Sequence, residues 1–283
     1  MYLIYHTRLF FQGLLQFLVS IIWNDKKYDA NEYGTQIVSS LLKTNVFTFP
    51  KSLWNVYDVL CAACLNDKNA LILDFFSGSA TTAHAVMQLN AEDGGKRKFI
   101  MVQLPEVCAE DSEAYKAGYK NICEIGKERI RRAGKKIKEE NPLTTQDLDT
   151  GFRVLKCDSS NMEDVYYTPK EYMNRQQELF VDNIKQDRSD EDLLFQVMLE
   201  LDTPLSSKIV KQEMEGKTVY NVSQGHLMAC FDENVTEAVI TAIAKEQPSY
   251  FVMRDSSLEN DSVAINFEQI FNTYSPQTER RVL

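Results

Sequence analysis

The sequence predicts an α/β domain followed by a smaller α+β domain, and three observations lead to this prediction. Two short apolar runs, Ala70 to Asp74 and Phe99 to Leu104, are typical of parallel strands covered on both faces, because they do not alternate with polar residues. Helical periodicity precedes and follows them, as in a βαβ arrangement. Farther along the chain, short strand-like runs are separated by turns that contain glycine. The length of 283 residues suits about two domains.

Predicted helices flank both strands. Ser52 can cap a helix whose apolar residues recur at helical spacing, namely Leu53, Tyr57, Leu60 and Cys64. A loop of small residues, 75–80, follows the first strand, and Thr81 to Leu89 has the pattern of the helix that this loop opens. Lys116 to Glu140 repeats apolar residues at helical spacing. We expect another strand in Gly151 to Asp158.

The carboxy-terminal part has the pattern of an α+β module. A helix from Ser189 to Leu201 begins with the spacing of a capping box, with Asp192 in place of the usual Glu or Gln. Turns at Glu215-Gly216 and Gln224-Gly225 place glycine where a tight turn needs positive φ. The predicted strands are 208–214, 217–223, 226–231, 250–254 and 281–283, and the predicted helices are 236–245 and 263–274.

Composition and charge limit the classes of protein. With 44% apolar and 25% charged residues the chain is neither disordered nor of low complexity. A net charge of −10 at face value argues against a nucleic-acid partner. The predicted helix Lys116 to Glu140, however, has nine Lys or Arg against four Glu. Either this helix has a solvated polar face, or it contacts phosphates.

The cysteines and histidines do not form a metal site in the sequence. Six cysteines are spread along a long chain, which favours reduced thiols and a cytoplasmic location. Cys61 and Cys64 form a C-x-x-C inside a helical pattern with no second pair behind it, so core cysteines are favoured over a redox or metal role. The three histidines lie far apart.

The amino terminus, Leu9 to Trp23, is almost wholly apolar. An export or anchor segment is one interpretation, and a buried helix or a truncated start is the other. The run is shorter than the roughly 20 residues of a spanning helix, and no small-x-small cleavage site follows it. We therefore expect no membrane association.

The loop after the first strand carries the chemistry. A strand that ends in an acid, a loop of small residues and a helix amino terminus together suit an anionic, ribose-bearing ligand. Read as a dinucleotide fingerprint, Gly78-x-Ala80-x-x-Ala83 has one glycine of three. A nicotinamide-dependent oxidoreductase would need more glycines and an acid at the end of the second strand.

The full segment Asp74 to Thr82, DFFSGSATT, resembles motif I of S-adenosylmethionine-dependent amino methyltransferases that act on DNA, D-x-F-x-G-S-G-T-T. Upstream, Asn31 to Thr35 and Phe47 to Lys51 are similar to motif X of the circularly permuted β-group. Downstream, Lys98 to Glu106 is similar to motif II of the methylase (Mod) subunits of type III restriction-modification systems. The stretches 125–130, 149–152 and 251–257 are similar to the carboxy-terminal part of the same family.

This resemblance runs from about Asn24 to the end of the chain, and it implies a Rossmann-like methyltransferase sheet, of which only part is present. It implies transfer of a methyl group from S-adenosylmethionine to N6 of adenine in double-stranded DNA. The family also implies a second methylase subunit and a restriction (Res) subunit as partners. No catalytic residue and no metal ligand is expected in this chain.

The resemblance also implies which residues bind the cofactor. The methionine and adenosine moieties would lie on the loop, with Asp74 near the methionine amino group, on Phe75, Phe76, Ser77, Gly78 and Ser79. Thr81 and Thr82 would cap the helix behind the loop. The methionine end would be closed by Phe49, Pro50 and Lys51. Gln103 or Glu106 would hydrogen-bond the ribose hydroxyls.

Two residues depart from the family pattern. A carboxylate is usual at the ribose position, and Gln103 stands at the matching place in the strand. Ala80 stands where the wider group often has glycine. Because alanine adds one methyl group and suits the first turn of a helix, we expect binding to survive.

The family activates its target amino group with a D-P-P-Y loop, and all seven prolines of this chain are isolated. We therefore expect a truncated or frame-shifted subunit with an atypical start at 1–23, a partial methyltransferase domain at 24–160 and an α+β assembly domain at 161–283. The alternative function is a non-catalytic module that docks other methylase or nuclease-helicase subunits.

Overall fold

The computed structural model describes residues 23–163, 184–258 and 261–283. The chain divides into two units, Met1–Leu155 and Lys156–Leu283. Most of the apolar start, residues 9–22, lies outside the described residues, so the two interpretations of that segment stay predictions. Within the described ranges, no helix is both long enough and apolar enough to cross a membrane.

The first unit contains helices around a small sheet. A 3-10 turn at Lys26–Tyr28 leads to a π-helix, Asn31–Thr35, that continues directly into α1. The remaining bounds are α1 Gln36–Leu42, α2 Leu53–Cys64, β1 Leu71–Asp74, α3 Thr81–Asp93, β2 Lys98–Met101, α4 Glu113–Lys116 and α5 Ile122–Glu140.

Strands β1 and β2 pair in parallel, with Leu71 opposite Lys98 and Asp74 opposite Met101. One face of this pair packs on helices, because Ile72 and Phe99 contact the residues that α2 and α3 bury. The other face, which we call the open face, is formed by Leu71, Leu73, Ile100 and Val102 and is exposed in the described structure. The prediction that these strands are covered on both faces is therefore wrong for the part of the chain that is described.

The predicted strand Gly151 to Asp158 is also wrong, because the structure has no strand there. Phe152 packs on the core of the first unit, with the Arg131 guanidinium 5.5 Å from its ring centroid. The preceding chain presses on α5, where a Cβ on Gly134 would lie 2.8 Å from the Cβ of Thr150. The apolar residues at the start of this segment thus pack on a helix instead of pairing with a sheet.

The second unit is an α+β fold around a five-stranded sheet, in the order β3-β4-β5-β6-β7. The strands β3 to β5 are antiparallel, and β5 to β7 are parallel and joined by helices. Its elements are α6 Asp190–Glu200, β3 Ile209–Met214, β4 Lys217–Val222, β5 Leu227–Cys230, α7 Glu237–Lys245, β6 Tyr250–Met253, a 3-10 turn Asp255–Ser257, α8 Asp261–Tyr274 and β7 Glu279–Val282.

Local sequence signals explain the ends of these elements. Ser189 and Asp192 form the predicted capping box, since each side chain accepts a hydrogen bond from the backbone N–H of the other. Glu215 and Gly216 both have positive φ, as does Gly225, so the hairpin turns are those that the sequence predicts. A mixed α/β architecture is therefore confirmed.

Candidate cofactor-binding site

Residues 75–80 form a loop between β1 and α3, which we call the β1–α3 loop, and Asp74 fixes both of its ends. The backbone N–H of Phe76 donates to Oδ1 of Asp74 at 3.1 Å, and the hydroxyl of Thr82 donates to Oδ2 at 2.6 Å. The carboxylate therefore ties the end of the strand to the loop and to the first turn of the helix.

The end of β2 holds the middle of the same loop. The N–H of Gly78 donates to the side-chain oxygen of Gln103 at 2.7 Å, and the N–H of Ser77 donates to the Val102 carbonyl at 3.2 Å. The Gln103 amide nitrogen donates to the Leu104 carbonyl at 3.3 Å. Gln103 is therefore engaged in supporting the loop, whereas Glu106, the other candidate for the ribose hydroxyls, is exposed.

The loop ends in a left-handed turn. Gly78 has φ +49° and Ala80 has φ +59°, and Ala80 is the residue that caps α3, with no side-chain hydrogen bond to the helix. The expectation that Thr81 and Thr82 cap this helix is wrong, because their hydroxyls bond to Arg129 and Asp74. Ala80 also lies in the conformation that favours glycine, outside the first helical turn in which we expected it.

The segment 47–51 lies beside the loop, and it includes Phe49, Pro50 and Lys51, which are predicted to close the methionine end. The Phe47 ring is 3.3 Å from the position that a Cβ on Gly78 would occupy. The Pro50 carbonyl packs directly against Gly34, where a side chain would collide with it, and Pro50 itself is buried. Phe49 and Lys51 are exposed.

Three phenylalanines expose their rings at this edge of the unit. Phe76 is 83% exposed, Phe75 is 60% exposed, and the two rings lie edge to face with centroids 6.1 Å apart. Phe49, from the neighbouring segment, is 86% exposed and has φ +56°. Exposed aromatic rings beside a polar loop are typical of a surface that binds a flat ligand.

Helix α5 supports the loop from inside the protein, and sequence reasoning missed this contact. The guanidinium of Arg129 is fully buried, and its Nη1 donates to Oγ of Ser79 and Oγ1 of Thr81 at 2.8 Å each. One turn earlier, a Cβ on Gly126 would lie 3.4 Å from the Gly78 carbonyl oxygen. A signal was present in the sequence, because Arg129 follows Gly126 by three residues and falls on the apolar stripe of the helix.

A second buried ionisable group, His84, lies on α3. Burial and the nearby charges of Arg129 and Lys136 lower its pKa to about 3, so the imidazole is neutral at pH 7. Its Nδ1 has no hydrogen-bond partner in the described structure.

The outer face of α5 carries the basic charge found in the sequence. Five of its cations pair with glutamates of the same helix at i,i+3 or i,i+4 spacing, namely Lys127, Arg131, Arg132, Lys135 and Lys136. Such pairs favour a solvated helix face over a phosphate-binding surface.

Comparison with known proteins gives the same relatives as the motifs. The type III restriction-modification enzyme StyLTI Mod subunit of Salmonella typhimurium is 44% identical over 124 residues, which is 44% of this chain and 18% of the relative. The EcoP15I Mod subunit of Escherichia coli is 34% identical over 163 residues, 56% of this chain and 24% of the relative. The type II methyltransferase M.KpnI of Klebsiella pneumoniae is 37% identical over 107 residues, 38% of this chain and 25% of the relative.

No family profile matches the chain. The predicted resemblance to type III Mod subunits is confirmed by these relatives. The aligned part is at most a quarter of the length of each curated relative.

Proposed function

We propose that this chain is part of a site-specific adenine-N6 DNA methyltransferase subunit of a type III restriction-modification system, and that it binds S-adenosylmethionine. The observation that supports this most is the β1–α3 loop, which is held at the carboxyl ends of two parallel strands by Asp74 and Gln103. Ligands of open α/β sheets bind at such ends. The pair β1 and β2 would then be part of a Rossmann-like sheet.

The geometry suggests a role for each predicted site residue. The backbone of Ser77, Gly78 and Ser79 would line the ligand, and Phe75 and Phe76 would supply exposed rings for the adenine. With Gln103 engaged in holding Gly78, the exposed carboxylate of Glu106 is the better candidate for the ribose hydroxyls. Phe49, Pro50 and Lys51 would close the methionine end of the cofactor, with Lys51 near the carboxylate of the methionine moiety.

Isothermal titration calorimetry with S-adenosylmethionine tests this proposal. The wild-type chain is expected to bind, and Phe76→Ala is expected to raise Kd about tenfold, because stacking of a base on an aromatic ring contributes about 1–3 kcal/mol. Since the Phe76 ring is exposed, the variant should unfold at the wild-type temperature. Leu143→Ala, which removes an equally exposed apolar side chain outside the loop, is the matched control and should leave Kd unchanged.

Lack of binding by the wild-type chain would contradict the proposal. A shift of the melting temperature by NAD, in place of S-adenosylmethionine, would favour the oxidoreductase alternative.

Methyl transfer itself requires more than these residues. Because the sequence has no D-P-P-Y, we propose that the purified chain does not methylate DNA unless another polypeptide supplies that loop. In such a complex double-stranded DNA, a second methylase subunit and the Res subunit would be the partners, with residues 161–283 serving in assembly. Robust methylation of unmodified DNA by the chain alone would overturn this part of the proposal.

The alternative, a non-catalytic assembly module, is favoured by one observation. The open face exposes four large aliphatic side chains, three on β1 and β2 and the fourth, Val102, directly after β2. In the described structure these two strands pair only with each other. Parallel sheets are normally covered on both faces, so this surface suits a protein partner.

Sedimentation of the purified chain tests the alternative. We expect self-association through the open face, and the double variant Leu73→Lys/Ile100→Lys should shift the distribution toward monomer. A wild-type chain that stays monomeric at tens of micromolar would count against this role. Pull-down with the Mod and Res subunits, compared with calorimetry, separates assembly from cofactor binding.

A further inference from the structure

Helix α5 contacts the β1–α3 loop at the left-handed turn of that loop. Arg129 donates through one nitrogen, Nη1, to the carbonyl oxygen of Ser79 at 3.3 Å and to the hydroxyls of Ser79 and Thr81. These contacts bracket Ala80, the residue that begins α3. The Gly126 backbone approaches the same turn closely enough that a Cβ there would touch the Ala80 methyl group at 3.5 Å.

The charge of Arg129 has no counterion among the described residues. Its Nε and Nη2 atoms are buried without a hydrogen-bond partner. Burial lowers its pKa to about 9, so the guanidinium keeps its positive charge at neutral pH. A buried charge without a partner is strongly destabilising, and a protein rarely keeps one for packing alone.

A second buried arginine in the same unit shows what a purely structural role requires. Arg97 forms an ion pair with Asp93 at 2.9 Å, and all three of its side-chain nitrogens donate hydrogen bonds to Asp93, Asn90 or the carbonyls at the end of α2. Its charge is neutralised by protein groups. Arg129 lacks such neutralisation and lies directly behind the proposed ligand surface.

The amino end of α3 adds to the same positive potential. Three helical turns of aligned peptide dipoles point their positive end at the loop, and the first N–H groups of a helix have no acceptor within it. The buried guanidinium stands at this end, in contact with Ser79 and Thr81. Both features favour a negative group on the ligand, and S-adenosylmethionine has only one such group, its carboxylate.

We propose that Arg129 is a positioning residue whose buried charge, together with the amino end of α3, makes the β1–α3 loop select ligands that carry the α-carboxylate. This inference rests on the proposed binding of S-adenosylmethionine and goes beyond it, since it concerns which part of the cofactor the loop recognises. Arg129 acts through Ser79 and Thr81 and does not touch the ligand.

The test compares two ligands that differ only in this group, S-adenosylmethionine and decarboxylated S-adenosylmethionine. We expect the wild-type chain to bind the carboxylated ligand at least about tenfold more tightly. In Arg129→Met this preference should fall about tenfold, and in Arg129→Lys, which keeps the charge, most of it should remain. All Kd values are measured by calorimetry at a low temperature at which circular dichroism shows each variant folded.

The control is Arg97→Met, which leaves Asp93 unpaired. It should lower the melting temperature and leave the preference between the two ligands unchanged.

If Arg129 had only a structural role, Arg129→Met would raise the Kd of both ligands by the same factor, and that result would overturn the inference. So would equal binding of both ligands by the wild-type chain, a measurement that does not depend on whether any variant folds. If the wild-type chain binds neither ligand, the proposed function itself fails. If it binds both and Arg129→Met keeps the full preference, only the present inference fails.

Discussion

The two sheets of this protein differ in how completely they are covered. In the second unit, one face of the sheet packs on α7 and α8 and the other on α6, so that Met228 and Cys230 face one apolar cluster while Leu227 and Ala229 face another. In the first unit, helices cover one face of β1 and β2 and the described structure leaves the other open. The second unit has thus buried its sheet within itself, whereas the first still exposes a surface suited to a partner.

The two units also differ in the kind of polar residue that they bury. In the described structure the buried polar residues of the second unit are neutral Ser and Thr, whereas the buried charged and imidazole side chains, Asp58, His84, Arg97 and Arg129, belong to the first unit. In the first unit Arg129 and His84 are buried ionisable groups with unpartnered nitrogens, next to a loop with left-handed residues. Such costs are typical of places where a protein is shaped for binding at the expense of stability.

The largest effect is expected in the covered sheet. Phe271 is fully buried, and its ring stacks on Phe251 with centroids 5.3 Å apart. Phe271→Ala should lower the free energy of unfolding of the second unit by about 3–5 kcal/mol, because removing a fully buried ring loses its packing and leaves a cavity. Urea unfolding followed by circular dichroism measures this change.

Ile265→Ala on the same helix is the control, and should cost less than about 0.5 kcal/mol because Ile265 is exposed. If Phe271→Ala lowered the free energy of unfolding as little as Ile265→Ala, the second unit would not be stabilised by its buried sheet, and the comparison between the units would fail.

An intermediate effect on the free energy of unfolding is expected from protonation of His84. Its pKa is about 3 in the folded protein and about 6.5 when unfolded, so between these values the unfolded chain binds more protons. Stability from the neutral imidazole is therefore complete above about pH 6.5 and is lost as the pH falls, by roughly 1 kcal/mol per pH unit. Urea unfolding of the first unit at pH 7 and at pH 5 measures the slope.

The matched variant is His84→Leu, which fills the site with an apolar side chain that does not titrate. Its stability should depend less on pH than that of the wild type. Equal slopes would mean that His84 is solvated in the folded protein, and the first unit would then bury no costly imidazole at that position.

The smallest effect is expected at the left-handed turn. Ala80→Gly relieves a positive φ but removes a buried methyl group, so the free energy of unfolding should change by less than about 1 kcal/mol. Ala83→Gly, three residues later in the helix and equally buried, should cost about 2 kcal/mol, since it loses both helix propensity and packing. The two variants differ only in backbone conformation, and equal losses would contradict a strained turn.

Much of the fold follows from local sequence patterns. The hairpin turns, the capping box at Ser189 and the helices of the second unit lie within a residue or two of their predicted positions, because glycine, capping residues and periodicity act over short distances. The segment 151–158 shows where such patterns fail. Its apolar residues predict a strand, but a strand needs a pairing partner, and periodicity cannot tell whether the sheet provides one.

The candidate site also combines features that local sequence patterns predict with features that depend on distant contacts. The order strand, acid, small-residue loop and helix places the β1–α3 loop correctly from the sequence alone. The support of Gly78 by Gln103 and of Ser79 by Arg129 joins residues 25 and 50 positions apart. A local pattern can place Arg129 on the apolar stripe of its helix, but it does not identify the distant residue that Arg129 contacts. The left-handed Ala80 depends on these same distant contacts, so the sequence predicted an ordinary helical residue there.

The tryptophans of this protein are confined to the first unit. The chain has two tryptophans, and both belong to this unit, with Trp23 stacked on Tyr28 and Trp54 edge to face with Tyr57. Tryptophan emission therefore reports the unit that carries the loop and is silent on the five-stranded sheet. The unfolding of the first unit can therefore be followed by tryptophan fluorescence in the intact chain, in the presence of the second unit.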